Sequence, residues 1–374
     1  MVSVPSRLEV DRLADLDRLL AEHRPLRGVV VTGIDLRRRT SDLARADVSA
    51  AIFLGCRLSG PATLDLIGRH ALVFPTVQEI PFDPWRRHLY AANDLYPGAG
   101  ADGDAEIYGW WLAHRRGDVF AALLQRIHDC SIDDALDELI AGRDVVGVMG
   151  GHDLVRGDDA YAQIAHLGRA LAEAGFVVAT GGGPGAMEAA NLGAALAGLG
   201  DATLARVLGI VATAPTFGGG RSALRRWIAA GLKAQAALPQ DSSIVTIGVP
   251  TWFYGHEPTN PFATHIAKYF ANSVREDGLL TIANAGVIFA PGKAGTVQEV
   301  FQDATQNYYA KRLSDAAPMI LFGSAFWTRE LPVWPLLRQL FDGRVARPLV
   351  ATMDDPANVV RALVARRAAM EASE

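Results

Sequence analysis

The chain has 374 residues, 50% of them apolar and 21% charged, enough to build a large core and too apolar for wholesale disorder. With 36 basic and 41 acidic residues the formal charge is −5, and no window is basic enough to follow a phosphate backbone, so nucleic acid is excluded as the main partner. Two cysteines, Cys56 and Cys130, cannot make a disulfide framework or a zinc cluster. The charged start lacks the apolar core of a signal peptide, and no later stretch reaches the roughly 18 apolar residues of a membrane helix. A soluble, cytoplasmic protein with no membrane contact is expected.

Residues 1–100 are expected to form a small α/β appendage. An amphipathic stretch, Leu8 to Leu20, precedes three short runs rich in Val, Ile and Phe (VVVTGIDL, AAIFLGCRL, ALVFPTV) that read as strands. Ala46 to Leu58 hints at a stacked β-turn repeat, too short to define a solenoid. Asn93–Gly103 gathers Gly, Pro, Asn and Asp and reads as a linker. Residues 101–143 are expected to be a helical linker packed on the main domain, with Leu123, Ile127, Ile132, Leu136 and Ile140 at roughly helical spacing.

From Asp144 the pattern alternates. The apolar runs 145–150, 176–180, 207–212, 244–249, 286–291 and 319–322 read as strands. Helices are expected at Tyr161–Ala174, Ala186–Ala197, Leu224–Leu238, Ala263–Leu280, Thr296–Lys311, Leu331–Phe341 and Pro356–Ala369. Continuous rather than alternating apolar strands are buried on both faces, so residues 144–374 should be a Rossmann-like, doubly wound parallel sheet with helices on both faces. Ligands of such sheets sit at the carboxyl ends of strands.

Two glycine-rich turns occupy such ends. Gly181, Gly182, Gly183 and Gly185, followed by Met187, lie between a strand and a helix, where glycine lets the backbone approach an anion. The pattern also fits a dinucleotide fingerprint, but Thr213 rather than an acid follows the run 207–212, which removes the ribose partner an NAD enzyme needs. Packing of strand on helix is the bland alternative. The second turn holds Gly292, Lys293, Gly295 and Thr296, then Glu299. It is no Walker A loop, yet its amides, hydroxyl and helix dipole suit one phosphate, and Lys293, one of four lysines, adds charge. Thr296 and Glu299 also fit a capping box.

Together, GGGPGAMEAA and PGKAGTVQE, in that order, resemble the LOG family of nucleoside 5′-monophosphate phosphoribohydrolases, often mislabelled lysine decarboxylases, and especially its long-chain relatives. The resemblance spans about residues 144–345. It implies hydrolysis of the N-glycosidic bond of a nucleoside 5′-monophosphate to free base and ribose 5-phosphate, without metal or organic cofactor. It also implies a catalytic pair, Arg275 and Glu299, Arg275 standing sixteen residues before Pro291. Lys293 replaces a family glycine.

The ordinary alternative for Arg275 is a surface ion pair with Glu276 or Asp277. His152 and His256 are weaker candidates, and Arg221, Arg225 and Arg226 read as a solvated face. A non-catalytic nucleotide-binding or sensing protein of the same fold is the main rival. Apolar residues on more than one face of the stretches 263–280 (Ile266, Tyr269, Phe270) and 296–311 (Val297, Val300, Phe301, Tyr308, Tyr309), together with the resemblance, imply a homodimer, unless residues 1–140 cover them.

Overall fold

The computed structural model describes residues 7–77, 79–97, 103–115, 117–238, 243–255 and 257–372. The chain divides into two compact units, Met1–Arg86 and Arg87–Glu374. The division precedes the stretch 93–103, of which 98–102 lie outside the described residues. The reason is that residues 87–97 are already tied to the second unit. Tyr90 bridges the backbone of Ile266, and the Tyr96 hydroxyl donates to the Thr259 carbonyl at 2.9 Å.

In the first unit β1 (Glu9–Val10), β2 (Val30–Thr32), β3 (Ile52–Cys56) and β4 (Leu72–Pro75) form one parallel sheet in sequential order. Helices α1 (Leu13–Ala21), α2 (Thr40–Arg45) and α3 (Gly60–Gly68) alternate with them. Each of the three apolar runs supplies a strand, and Leu16, Leu26, Val31, Leu36 and Phe53 are fully enclosed between sheet and helices.

The second unit opens with α4 (Ala92–Leu95), α5 (Gly103–His114) and α6 (Val119–Ile140). The expected single helical stretch is broken near Asp118, whose carboxylate accepts from the Ala121 amide at 2.9 Å and starts α6. There follow β5 (Val145–Met149), α7 (Asp159–Glu173), β6 (Val177–Thr180), α8 (Ala186–Ala195), α9 (Asp201–Ala212), α10 (Arg221–Gln235), β7 (Thr246–Gly248), β8 (His265–Ile266) and α11 (Asn272–Ile282). The unit ends with β9 (Gly286–Phe289), α12 (Ala294–Tyr308), β10 (Met319–Phe322), α13 (Val333–Leu340), β11 (Val350–Met353) and α14 (Pro356–Glu371).

The seven strands pair parallel throughout, in the order β11-β10-β9-β5-β6-β7-β8. This is the α/β sheet expected. Every residue of β5, β6, β9 and β10 is buried, as continuous apolar strands between helix layers must be. From β5 the chain moves to β6 on one side; from β9, on the other side of β5, it moves away to β10. Such a reversal leaves a crevice at the carboxyl ends of β5 and β9.

Helix α8 is buried at all ten positions. It approaches α7 so closely that a Cβ on Gly193 would overlap the Ala165 carbonyl, and one on Gly168 the Ala190 carbonyl.

Three readings of the sequence are corrected. Residues 207–212 are not a strand but the end of α9, whose buried Leu204, Val207 and Val211 fall at helical spacing along one face. The stretch 263–280 is not one helix: it holds the two-residue edge strand β8 and, from Asn272, α11. The edge strand β11 was not anticipated. Among the described residues, no helix is long and apolar enough to cross a membrane.

Candidate functional site

The first glycine turn hangs on a buried amide network. Thr180 closes β6; its hydroxyl donates to Asn191 Oδ1 at 2.6 Å and accepts from the Gly182 amide at 3.0 Å. Asn260 donates through its backbone to the Gly182 carbonyl at 2.9 Å and through Nδ2 to the Gly183 carbonyl at 3.2 Å and to Asn191 Oδ1 at 3.1 Å. Asn191 in turn donates to Thr246 Oγ1 and the Ile247 carbonyl on β7. Both asparagines are wholly buried, so every bond lost would leave a polar group stranded. Gly182 (φ +71°) and Gly185 (φ +72°) occupy the left-handed region that favours glycine.

The two turns meet on the loop after β5. A Cβ on Gly185 would overlap the Gly151 carbonyl, which accepts from the Ala186 amide at 3.1 Å. The Gly151 amide donates to the Pro291 carbonyl at 3.0 Å, and a Cβ on Gly292 would overlap the Thr296 hydroxyl. Gly295 faces open space. A cleft of about 200 Å³ opens beside Pro184 and Gly185, between His152, Asp153, Phe217 and Trp227.

Helix α12 starts at Ala294 with Lys293 as its N-terminal flanking residue, so Thr296 and Glu299 lie inside the helix and form no capping box. Lys293 has φ −101°, outside the glycine-favouring region, so lysine in place of the family glycine brings no left-handed strain. Its side chain is 84% exposed and its Nζ lies 2.6 Å from Asp153 Oδ2, bridging the loops after β9 and β5.

Glu299 instead faces Arg275, with Oε1 3.5 Å from the guanidinium. Arg275 is buried and donates from Nε to the Val249 carbonyl beyond β7 at 2.9 Å. Gly181 makes room for it, since a Cβ there would overlap the guanidinium. The surface pairing is not adopted: Glu276 accepts from Asn272 at 2.7 Å and from Gln298 at 3.0 Å, while Asp277 accepts from Gln302. Burial pushes the Glu299 carboxyl above the usual glutamate range; Arg275 pulls it back down, and the carboxylates of Glu276 and Glu257 push the same way as burial.

Several contributors carried no motif. Asp129 on α6 accepts from the Phe270 and Ala271 amides, each at 2.9 Å, and Asp133 accepts from the Tyr269 hydroxyl at 2.8 Å. The expected linker helix thus holds the start of α11 and aims Arg275. Ile266, Tyr269 and Phe270 are consequently buried within the chain, which corrects their reading as surplus apolar surface.

Glu188 of the first motif faces inward, in a fork of two bonds with Arg156 (2.8 and 2.5 Å) and accepting from Tyr161 at 2.9 Å. Glu257 Oε1 lies 2.9 Å from His152 Nδ1, and His152 Nε2 lies 3.0 Å from Asp153. His256 lies outside the described residues. Met187 is nearly buried against Gly181 and Gly183, and Arg221, Arg225 and Arg226 are exposed. The sequence did offer one signal for the α6 contribution: Asp129 and Asp133 stand four residues apart beside Ile132 and Leu136.

Residues 143–213 match the model of the SLOG cluster4 family. No curated protein matches the chain. Among solved structures, the molybdenum cofactor binding protein from the phototrophic bacterium Rippkaea orientalis is 17% identical. It covers 59% of this chain and 95% of its own, with a TM-score of 0.37. The molybdenum cofactor carrier protein of Chlamydomonas reinhardtii is 18% identical, covering 59% and 96%, with a TM-score of 0.35.

Proposed function

We propose that the chain binds a nucleoside 5′-monophosphate across its two glycine turns and hydrolyses the N-glycosidic bond to free base and ribose 5-phosphate. The observation that carries this is the Arg275–Glu299 pair, shielded from solvent and placed one helical turn beyond a glycine turn that suits a phosphate.

In this reading the 5′-phosphate rests on the first-turn amides of α12, which have no acceptor within the helix, and on the Thr296 hydroxyl. Lys293 exchanges Asp153 for the phosphate. The ribose then reaches Glu299, whose carboxylate stabilises the cationic sugar as the C1′–N bond breaks and orients the attacking water. The water oxygen bonds to C1′, its proton passes to Glu299, and the base leaves with the bond's electron pair and takes up a proton. Arg275, held by the Val249 carbonyl, keeps Glu299 ionised and aimed. These steps need no metal or organic cofactor.

The test is incubation with AMP, GMP, CMP, UMP and isopentenyl-AMP, followed by chromatography for free base. Base release from at least one supports the reading. Tight binding without release from any overturns hydrolysis and supports a non-catalytic sensor.

A further inference from the structure

His152 follows β5 and stands beside both glycine turns. Its Nδ1 lies 2.9 Å from Oε1 of Glu257, on the loop between β7 and β8, and its Nε2 lies 3.0 Å from Asp153 Oδ1. Ionised carboxylates only accept, so both contacts are hydrogen bonds when the ring carries a proton on each nitrogen. Beyond Asp153 comes Lys293, and the remaining neighbour is the Phe217 ring, edge to face at 6.5 Å.

Three observations give this imidazolium a place in the site. The side chain is 44% exposed and lines the cleft of about 200 Å³ beside Pro184 and Gly185, so a ligand reaches it. Of its two carboxylates Glu257 is the more enclosed, 22% exposed against 55% for Asp153, and is therefore the firmer partner. The first glycine turn links the ring to the Arg275–Glu299 pair: Gly181 packs on the Arg275 guanidinium, Gly183 faces Glu257 and Gly185 packs on the His152 backbone. Four residues of chain span at most about 14 Å, so both ends of the turn serve one small ligand.

We infer that His152 is the general acid of the proposed hydrolysis, with Nδ1–H held by Glu257 and Nε2–H passing from Asp153 to a base lying in the cleft. The inference rests on the nucleotide reading above and supplies what that reading leaves open, the source of the proton that the base takes up. As the C1′–N bond breaks, its electron pair moves into the base, and a ring nitrogen of the base takes the Nε2 proton. His152 is left neutral while Glu299 holds the proton from the attacking water; exchange with solvent returns both to their starting forms. Glu257 is a positioning residue, since it fixes the ring and touches no reacting atom.

Initial rates of base release from AMP, GMP and 7-methyl-GMP test this on the full chain. The 7-methylated base is already cationic and leaves without taking up a proton, whereas the other two bases need one. On whichever of AMP and GMP the wild type cleaves, His152→Gln should lower the rate by at least about 10²-fold, the order one general acid supplies, and leave 7-methyl-GMP within about threefold. Glu257→Gln should show the same contrast at smaller size.

Equal losses on the methylated and unmethylated substrates, or no loss on AMP and GMP, overturn the acid role and leave hydrolysis standing. A wild type that cleaves 7-methyl-GMP alone, or that cleaves AMP or GMP but not the methylated nucleotide, overturns it likewise. A wild type that releases no base from any of the three overturns hydrolysis and the acid role together.

Discussion

At the scale of single residues, Glu299 separates chemistry from architecture. Because it caps nothing and its burial disfavours the charge, Glu299→Gln should fold at least as stably as the wild type. Its turnover should fall by at least about 10²-fold, the order of one lost electrostatic contact in the transition state. Thermal melts and initial rates on one preparation check both. In the proposed reaction Glu299 works ionised, and burial raises its pKa above 4.5. Activity should therefore decline on acidification at a higher pH than an ordinary glutamate would give.

Lys293 offers a milder test. Its partner Asp153 is half exposed, so the pair adds little to stability, and Lys293→Gly should melt within about 1 kcal/mol of the wild type. If the lysine does turn to phosphate, nucleotide affinity should drop and depend less on salt.

Asp303 on α12 is a different kind of residue. It is buried, one carboxyl oxygen has no partner, and burial pushes its pKa up to about 7. The folded chain therefore holds a proton that the unfolded chain releases near pH 3.8. This contribution favours the fold below that pH and is lost progressively as pH rises towards about 7. Asp303→Asn should remove this slope, so the difference in melting temperature between variant and wild type should shift in the variant's favour from pH 4 to about pH 7 and then level off.

At the scale of elements, what the sequence made legible follows from how each segment is buried. Strands β5, β6, β9 and β10 are covered on both faces, and their unbroken apolar runs say so. The run 207–212 has the same composition but only part of it faces the core, and six residues are too few to separate a strand from the last turns of a helix. Arg275 and Glu299, far apart along the chain, are implied only by the resemblance to the LOG family, whereas the glycine turns could be read because their residues lie close in sequence. Asn260 and Asp129 could not: Asn260 meets Asn191 across 69 positions and Asp129 meets Phe270 across 141, and no local pattern encodes such pairings.

The α7–α8 contact makes a prediction of its own. With no space for a methyl group beside the Ala165 carbonyl, Gly193→Ala must push the helices apart. It should lower stability by about 1–3 kcal/mol, the usual cost of overpacking, as read by denaturant titration.

At the scale of the whole molecule, we propose that the chain pairs through α12. Tyr309 at its end is 74% exposed, and Val297 and Phe301 are only half buried. A stable two-fold contact would bury upwards of about 1,000 Å². Light scattering on dilute full-length protein should return the mass of two chains. The mass of one rejects the proposal, and a mass that falls to one chain on deleting residues 1–86 assigns the contact to the first unit instead.

The uneven footing of the two glycine turns has a kinetic consequence. The first leads into a helix enclosed on every side and is pinned by two buried asparagines; the second leads into a helix whose first residues, Ala294 and Gly295, are open to solvent. Amide hydrogens of α8 should therefore exchange with deuterium only when the whole unit unfolds, while those of Lys293 to Gly295 exchange through small local openings. A nucleotide that settles on these turns would meet one fixed wall and one yielding wall, and its capture should slow exchange only along the second.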